Sequence, residues 1–292
     1  MKRFYLFIAV IVIFNYISNA QDDISNEETQ IQEVKDKPVK SPFETAVLID
    51  FPTTVIPSKG SFQLLIHHRF GTISNGITDI YGIYAPSNIK MTFDYSLFDF
   101  LQIGFSSEKN NKIQEFHGKL NLLTQTRSGR IPVSVSLYSM AGIGARNKDI
   151  YGKNYSFNNR ITLFEQLIIS RKFSDRLSLL TGASYSHFNA VSYEKGEKHD
   201  HVGIHLGGRY MLWSSNSFIF EYTYPFKIVA TDETNPPKQG FSAGLEFGTS
   251  THGFQVFASN YQELNPVHNI SRTQNDFFGG DILLGFNITI RF

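Results

Sequence analysis

The chain has 292 residues, no cysteine and a formal net charge of +1, from 27 Lys and Arg against 26 Asp and Glu. The absence of cysteine excludes disulfides, thiolate metal sites and a lipid anchor on an N-terminal cysteine. The balanced charge, without a basic patch, argues against nucleic acid as a partner. The 27 Phe and 14 Tyr are typical of β-strands and of the aromatic girdles of membrane barrels.

The N-terminus has the layout of a secretory signal peptide. Lys2 and Arg3 precede the apolar stretch 4–14, and small residues lead up to a cleavage site after Ala20. The apolar stretch is shorter than the roughly 20 residues that a membrane-spanning helix needs. The pattern therefore predicts a cleaved signal peptide over residues 1–20.

The segments after the signal differ in composition from the rest of the chain. Residues 21–42 are crowded with charges and lack aromatics, so they bury too little apolar area to order themselves. We expect a disordered periplasmic tail there. Residues 43–60 are interpreted as a lead-in segment that either plugs the following domain or leads into it, and residues 61–292 as the barrel itself.

The end of the chain gives the clearest strand pattern. Apolar residues alternate with Leu283, Gly285, Asn287, Thr289 and Arg291, and this period of two indicates a strand with one apolar face. The apolar face is Ile282, Leu284, Phe286, Ile288, Ile290 and Phe292. The terminal aromatic resembles the signal read by the outer-membrane barrel assembly machinery, so we expect this strand to close the barrel and to engage that machinery.

Similar segments predict an all-β fold, a transmembrane antiparallel up-and-down barrel of about twelve strands, with ten to fourteen possible. The expected starts lie near residues 61, 88, 100, 113, 131, 159, 176, 201, 217, 240, 253 and 280. Connections after odd-numbered strands are mostly long and those after even-numbered strands short, as in bacterial outer-membrane barrels. The pattern therefore predicts a Gram-negative outer-membrane protein, in contact with outer-membrane lipid, with both termini in the periplasm.

Charged residues fall on the face opposite the apolar one, where they avoid lipid. A lipid-facing charge near the midplane costs about 2–4 kcal/mol, whereas a lumen-facing one is solvated. Eight charged residues fall at the alternate strand positions expected to face the barrel interior. They are Lys90, Asp94, Glu115, Lys119, Arg209, Glu221, Glu246 and Arg291. They are interpreted either as the lining of a narrow pore or as charges that pair within a closed lumen.

Histidines supply the candidate metal ligands. His67, His187, His199 and His201 are expected near strand ends at the outer mouth, where His with a carboxylate can bind zinc or copper. The alternative is that they are ordinary polar residues of a solvated loop and lumen. No cofactor is expected.

A catalytic serine is the other chemical possibility. Ser186 and His187 are adjacent, so on a strand they point to opposite faces. The sequence has no Gly-x-Ser-x-Gly elbow. We expect no catalytic residues and no enzyme, although a Ser-His pair from different strands stays open.

The chain resembles a Bacteroidota family of outer-membrane β-barrel proteins with a domain of unknown function. The resemblance is carried by segments 67–71, 93–95, 102–105, 119–125, 166–173, 208–210, 252–255 and 285–288. Thr251 stands where the family carries Gly, and loops 145–158 and 227–239 match poorly. Genes of the family lie near those for periplasmic lipid-binding proteins and c-type cytochromes, which implies a periplasmic partner.

These observations lead to three competing functions. The first is a narrow channel or passage protein for small solutes. The second is a structural or docking barrel that holds a periplasmic or surface partner without transport. The third is a metal-binding or lipid-hydrolysing barrel. An open bore would favour passage, and a plugged one would favour docking.

Overall fold

The computed structural model describes residues 36–151, 154–191, 198–226 and 236–292. The predicted signal peptide, and the predicted tail up to residue 35, lie outside the described residues. Twelve strands are described: β1 (Phe62–Thr72), β2 (Asn88–Phe98), β3 (Leu101–Glu108), β4 (Ile113–Leu123), β5 (Ser134–Gly144), β6 (Ile161–Lys172), β7 (Leu177–Phe188), β8 (Asp200–Trp213), β9 (Asn216–Phe226), β10 (Gly240–Gly248), β11 (His252–Ser259) and β12 (Leu283–Arg291).

The strands form one closed barrel in which each strand pairs antiparallel with its neighbours in sequence, and β1 pairs with β12. At the closure, the Phe292 amide donates to the Phe62 carbonyl at 2.9 Å. This confirms the predicted all-β class and the count of twelve strands. The largest differences between predicted and observed starts are three residues, at Ser134 and Leu283.

The alternation on each strand explains why the sequence forms this barrel. On β2, Phe93 and Tyr95 are exposed, whereas Lys90 and Asp94 are buried. This is the reverse of a soluble sheet, and an apolar outer face around a polar interior is the pattern of membrane barrels. A register slip of one residue would exchange the two faces, so this patterning fixes the register.

The helices of the described residues are short. One α-helix, α1 (Pro266–Arg272), lies between β11 and β12. Segments of 3-10 helix cover Ile73–Asp79, Lys148–Tyr151 and Phe157–Arg160. Within the described ranges, no helix has the length and apolar character needed to cross a membrane.

We call the end of the barrel where β1 begins and β12 ends the base, and the opposite end the mouth. Residues 37–60, the plug hairpin, enter the lumen from the base, turn and return. The turn is closed by a hydrogen bond of 3.0 Å from the Leu48 amide to the Phe51 carbonyl, beside an isolated bridge between Val47 and Pro52. On the return, the Lys59 amide donates to Asp99 at 2.7 Å.

The described structure includes residues before the predicted boundary at residue 43. Pro38 forms a bridge with Thr126, and the Val39 amide donates to the Gln125 carbonyl at 3.0 Å. Residues 37–42, which composition assigned to a disordered tail, are therefore attached to the β4–β5 connection. Backbone hydrogen bonds order this segment, and apolar content alone does not predict such bonds.

Residues 260–282, the mouth loop, connect β11 to β12 and fold into the lumen from the other end. Two buried apolar clusters form between these insertions and the wall. The first cluster is Phe51, Met140, Phe164, Phe188, Tyr261, Val267 and Ile270. The second is Phe43, Leu48, Ile49, Leu180, Ile219 and Phe257. The core of this barrel thus lies inside its lumen.

Candidate functional site

The tip of the plug hairpin is held by a buried ion pair with the wall. Arg69 on β1 is 0% exposed, and its Nη2 lies 2.7 Å from Asp50 Oδ1. The guanidinium also donates to Asn287 Oδ1 at 3.1 Å and lies over the Phe257 ring at 4.3 Å. The arginine therefore has a carboxylate, an amide and an aromatic face as partners.

A wall carboxylate binds the same turn from the other side. Glu221 on β9 accepts hydrogen bonds from the backbone amides of Asp50 at 2.8 Å and Phe51 at 3.2 Å. Ser242 on β10 donates to Asp50 Oδ2 at 3.2 Å. The turn is thus fixed by a cation on its side chain and by an anion on its amides.

Near the base, the plug hairpin contributes Glu44 to a group of wall charges. Glu44 lies 3.0 Å from Arg291 and 3.9 Å from Arg209. Arg209 also pairs with Glu246 at 2.7 Å. Higher in the lumen, Lys119 donates to the Ala46 carbonyl at 3.2 Å.

The remaining predicted lumen charges pair with wall groups. Lys90 lies 3.4 Å from Glu115, and His117 lies 2.7 Å from Asp94. These residues line a cavity of about 40 Å³, which has room for one or two water molecules. All eight predicted lumen charges therefore face the interior, where the plug hairpin and wall side chains partner them.

The mouth loop is attached mainly through backbone groups and amide side chains. Asn265 caps α1, because its Oδ1 accepts from the amides of Val267 at 2.9 Å and His268 at 3.2 Å. Its Nδ2 donates to Glu115 at 2.7 Å. Phe51 of the plug hairpin meets Tyr261 of this loop with ring centroids 6.2 Å apart, so the two insertions contact each other.

The four candidate metal-binding histidines do not form one group. His187 and His199 lie with ring centroids 5.7 Å apart, and His187 Nδ1 is 2.6 Å from Asp200. His201 is buried on the other face of β8, with Nε2 3.1 Å from the Lys198 carbonyl. His67 lies buried on β1 in the wall of the cavity. Strand alternation therefore separates these residues.

The serine and histidine residues do not assemble a hydrolytic triad within the described residues. Ser186 is buried in the lumen, whereas the adjacent His187 lies on the outer face of β7. A pair from different strands does form, since Ser184 Oγ lies 2.7 Å from His205 Nε2. The third group is the Thr223 hydroxyl at 3.0 Å, where a triad needs a carboxylate, and Phe51 covers the His205 ring at 4.1 Å.

Sequence reasoning missed three features of the site. Glu44 and Asp50 of the plug hairpin were not recognised as ion-pair partners, although two carboxylates in an otherwise apolar segment were a usable signal. A candidate metal-binding group is the third. Glu108, Glu263 and His268 each bring a ligand atom within 4.8 Å of the others, although they are far apart in the sequence.

An outward apolar face, a polar and plugged interior and closure without a free edge define a membrane β-barrel. The chain belongs to the family described as "Membrane bound beta barrel domain (DUF5777)", which matches residues 43–292. This agrees with the resemblance to a membrane-barrel family of unknown function. A comparison with curated proteins gives no match.

The chain resembles solved barrels at low sequence identity, and the NanC porin shares its fold. The NanC porin matches with a TM-score of 0.51 and 8% identity, over 79% of this chain and 98% of that chain. An outer membrane channel from Pseudomonas putida F1 matches with a TM-score of 0.48 and 11% identity, over 82% and 98%. The KdgM porin matches with a TM-score of 0.46 and 8% identity, over 80% and 98%.

Proposed function

We propose that this protein is an outer-membrane passage protein for small solutes, in a state closed by its own plug hairpin. A plugged bore by itself favours docking, but here the plug is a chain segment inserted from one end, and this source of the closure favours passage. The charges on the wall are partnered by a chain segment inserted from one end, through Arg69 with Asp50, Glu221 with two backbone amides, and Lys119 with a carbonyl.

Hydration of the inner face of the barrel becomes favourable once the plug hairpin leaves the lumen. Without residues 37–60, the side chains of Arg69, Glu221 and Lys119 lose these partners, and buried charges without partners are strongly disfavoured. Hydration of the bore is the remaining way to stabilise them. Twelve strands lie between the eight whose interior side chains fill and the sixteen to eighteen that leave an aqueous channel.

The proposed orientation places both termini, and so the entry of the plug hairpin, on the periplasmic side. The even number of strands and the long loops at the mouth support it. A periplasmic partner would then reach the hairpin directly. The Bacteroidota origin, the contact with outer-membrane lipid and the recognition of the strand before Phe292 by the assembly machinery stay predictions.

Planar-bilayer recording of purified variants tests the proposal. We expect the full chain to conduct little, deletion of residues 40–57 to raise the conductance, and further replacement of residues 263–276 by a short Gly-Ser linker to raise it again. Deletion of residues 21–35 is the matched control and leaves the conductance unchanged. Folding of each variant is checked by heat-dependent gel mobility. A folded double variant without conductance would rule out passage.

A docking barrel without transport is the second candidate. Three wall glycines favour it, because they leave room for residues of the insertions. A Cβ on Gly207 would lie 2.6 Å from Leu48, one on Gly253 2.7 Å from Thr45, and one on Gly240 2.0 Å from Tyr261. This close fit suits a permanent plug. The candidate predicts a periplasmic partner that full-length protein captures and that the variant lacking residues 21–35 does not.

A further inference from the structure

Two carboxylates and an imidazole meet at the mouth of the barrel. Glu108 ends β3, Glu263 lies in the mouth loop just after β11, and His268 lies in α1. One ligand atom of each lies within 4.8 Å of the other two. These three residues, which we call the mouth cluster, come from the wall and from two parts of the mouth loop.

Hydrogen bonds orient Glu108 and leave one of its oxygens free for a ligand. Its Oε1 accepts from Asn88 Nδ2 at 2.7 Å and from the Leu264 amide at 3.2 Å. Its Oε2 is buried and has no hydrogen-bond partner within the described part of the chain, and the residue is 2% exposed. A buried carboxylate oxygen without a donor is disfavoured unless a cation takes that position.

His268 offers the second unpartnered atom. The residue is 6% exposed, its ring stacks on Phe188 with centroids 5.6 Å apart, and Nδ1 has no hydrogen-bond partner among the residues described. Burial, with the nearby positive charges of Arg272 and Arg146, holds the pKa of His268 well below its ordinary value. The imidazole is therefore neutral at physiological pH, and the neutral ring is the form that binds metals.

Glu263 completes the set from a less buried position. Its Oε2 accepts a hydrogen bond from Asn111 Nδ2, and the Oδ1 of the same amide accepts one from Arg146. The amide thus positions the second carboxylate, as hydrogen bonds to metal-ligating carboxylates commonly do.

We propose that Glu108, Glu263 and His268 bind one divalent transition-metal ion, with Zn²⁺ as the reference ion, and that this ion fastens the mouth loop to the barrel wall. Imidazole nitrogen and carboxylate oxygen are both ligands that Zn²⁺ accepts. Zinc bonds of about 2.0–2.2 Å in a tetrahedral site place the ligand atoms about 3.3–3.6 Å apart. The ligand atoms of the mouth cluster, which lie within 4.8 Å of one another, would therefore draw together by about 1 Å around the ion.

Zinc titration of the purified full-length barrel in detergent, with a competing chelating dye, tests the proposal. We expect one Zn²⁺ per chain, and binding at least about tenfold weaker in each of Glu108→Gln, Glu263→Gln and His268→Gln. Glu263→Gln tests a partly exposed ligand and so perturbs folding least. Hydrogen exchange provides a second readout, in which zinc slows exchange of residues 260–282 in the wild type but not in these variants.

Two matched controls separate this cluster from the other histidines. His187→Gln alters the pair with Asp200, and His252→Gln alters a half-buried histidine at the base of the barrel, so both are expected to bind zinc as the wild type does. Calcium is expected not to compete, because a nitrogen ligand disfavours it. The proposal is overturned if the wild type binds no zinc. It is equally overturned if the three cluster variants bind zinc normally or if His187→Gln abolishes binding.

Discussion

The plug hairpin and the mouth loop fill the same lumen from opposite ends, but they are held differently. The hairpin is fixed by charge, with Asp50 against the fully buried Arg69 and with Glu221 on its turn amides. The mouth loop is held by apolar packing of α1 and by hydrogen bonds that join its backbone and Asn265 to charged wall residues, Lys90, Glu108 and Glu115. The wall charge of Arg69 thus meets a charged side chain of the hairpin, Asp50, whereas the wall charges facing residues 264 and 265 meet neutral groups.

The largest effect is expected from Asp50→Ala, which leaves the Arg69 guanidinium buried without its carboxylate. Breaking a buried ion pair on one side costs about 3–5 kcal/mol. We expect the free energy of hairpin opening, measured by hydrogen exchange of residues 43–55, to fall by that amount. Ser242→Ala removes a neutral hydroxyl that bonds Asp50 and Ser259, leaves the ion pair in place, and is the control. Equal effects of the two substitutions would argue against charge as the main anchor.

A second comparison removes apolar contacts from each insertion. Phe51→Ala and Ile270→Ala both truncate fully buried side chains of the same cluster and are expected to cost about 3–5 and 2–5 kcal/mol. If the insertions open separately, Phe51→Ala speeds exchange only in the hairpin and Ile270→Ala only in the mouth loop. The contact between Phe51 and Tyr261 predicts some coupling, seen as a non-additive double variant.

The capping of α1 supplies a smaller effect. Asn265→Ala removes the acceptor for two helix amides and is expected to destabilise the mouth loop by about 0.5–2 kcal/mol. Asn265→Ser keeps a capping oxygen but loses the hydrogen bond to Glu115. It therefore separates the contribution of helix capping from that of the bond to the wall. Exchange of residues 260–282 is the measurement. A larger loss for Ser than for Ala would contradict the capping role.

Acidification is expected to loosen the mouth loop through His268. The pKa of His268 is lowered in the folded state by burial, then by Arg272 and Arg146, with Glu108 and Glu263 facing the same ring. At this imidazole the open state therefore binds more protons, and its contribution to stability is lost as the pH drops below about 6.5, the ordinary value for histidine. Exchange measured between pH 7.5 and 5.5 with a chelator present should show this, and His268→Gln should abolish it.

Much of the wall could be predicted from residue order alone. The alternation in β2 and β12 follows from the opposite demands of lipid and interior, so strand starts were predicted to within three residues. Parity also predicted which charges face the lumen. Arg69 was not among the predicted lumen charges, although it shares the buried face of β1 with Gln63 and His67.

The candidate site could not be predicted in the same way, because its partners are distant in sequence. Asp50 contacts Glu221 through its amide across 171 positions, and Asn265 contacts Glu115 across 150. No periodicity encodes such contacts. The histidines show the same limit, since His187 and His201 looked like one group but occupy opposite faces of neighbouring strands.

The sequence by itself determined the closed barrel, its twelve strands and the side of each strand that faces inward, because a period of two is a local property set by the backbone. Only the tertiary structure decided that the lumen is filled, that Asp50 and Arg69 meet inside it, and that Glu108, Glu263 and His268 converge at the mouth. These contacts arise when two insertions fold back into the barrel, and the free energy that places them comes from burial and charge pairing between distant segments.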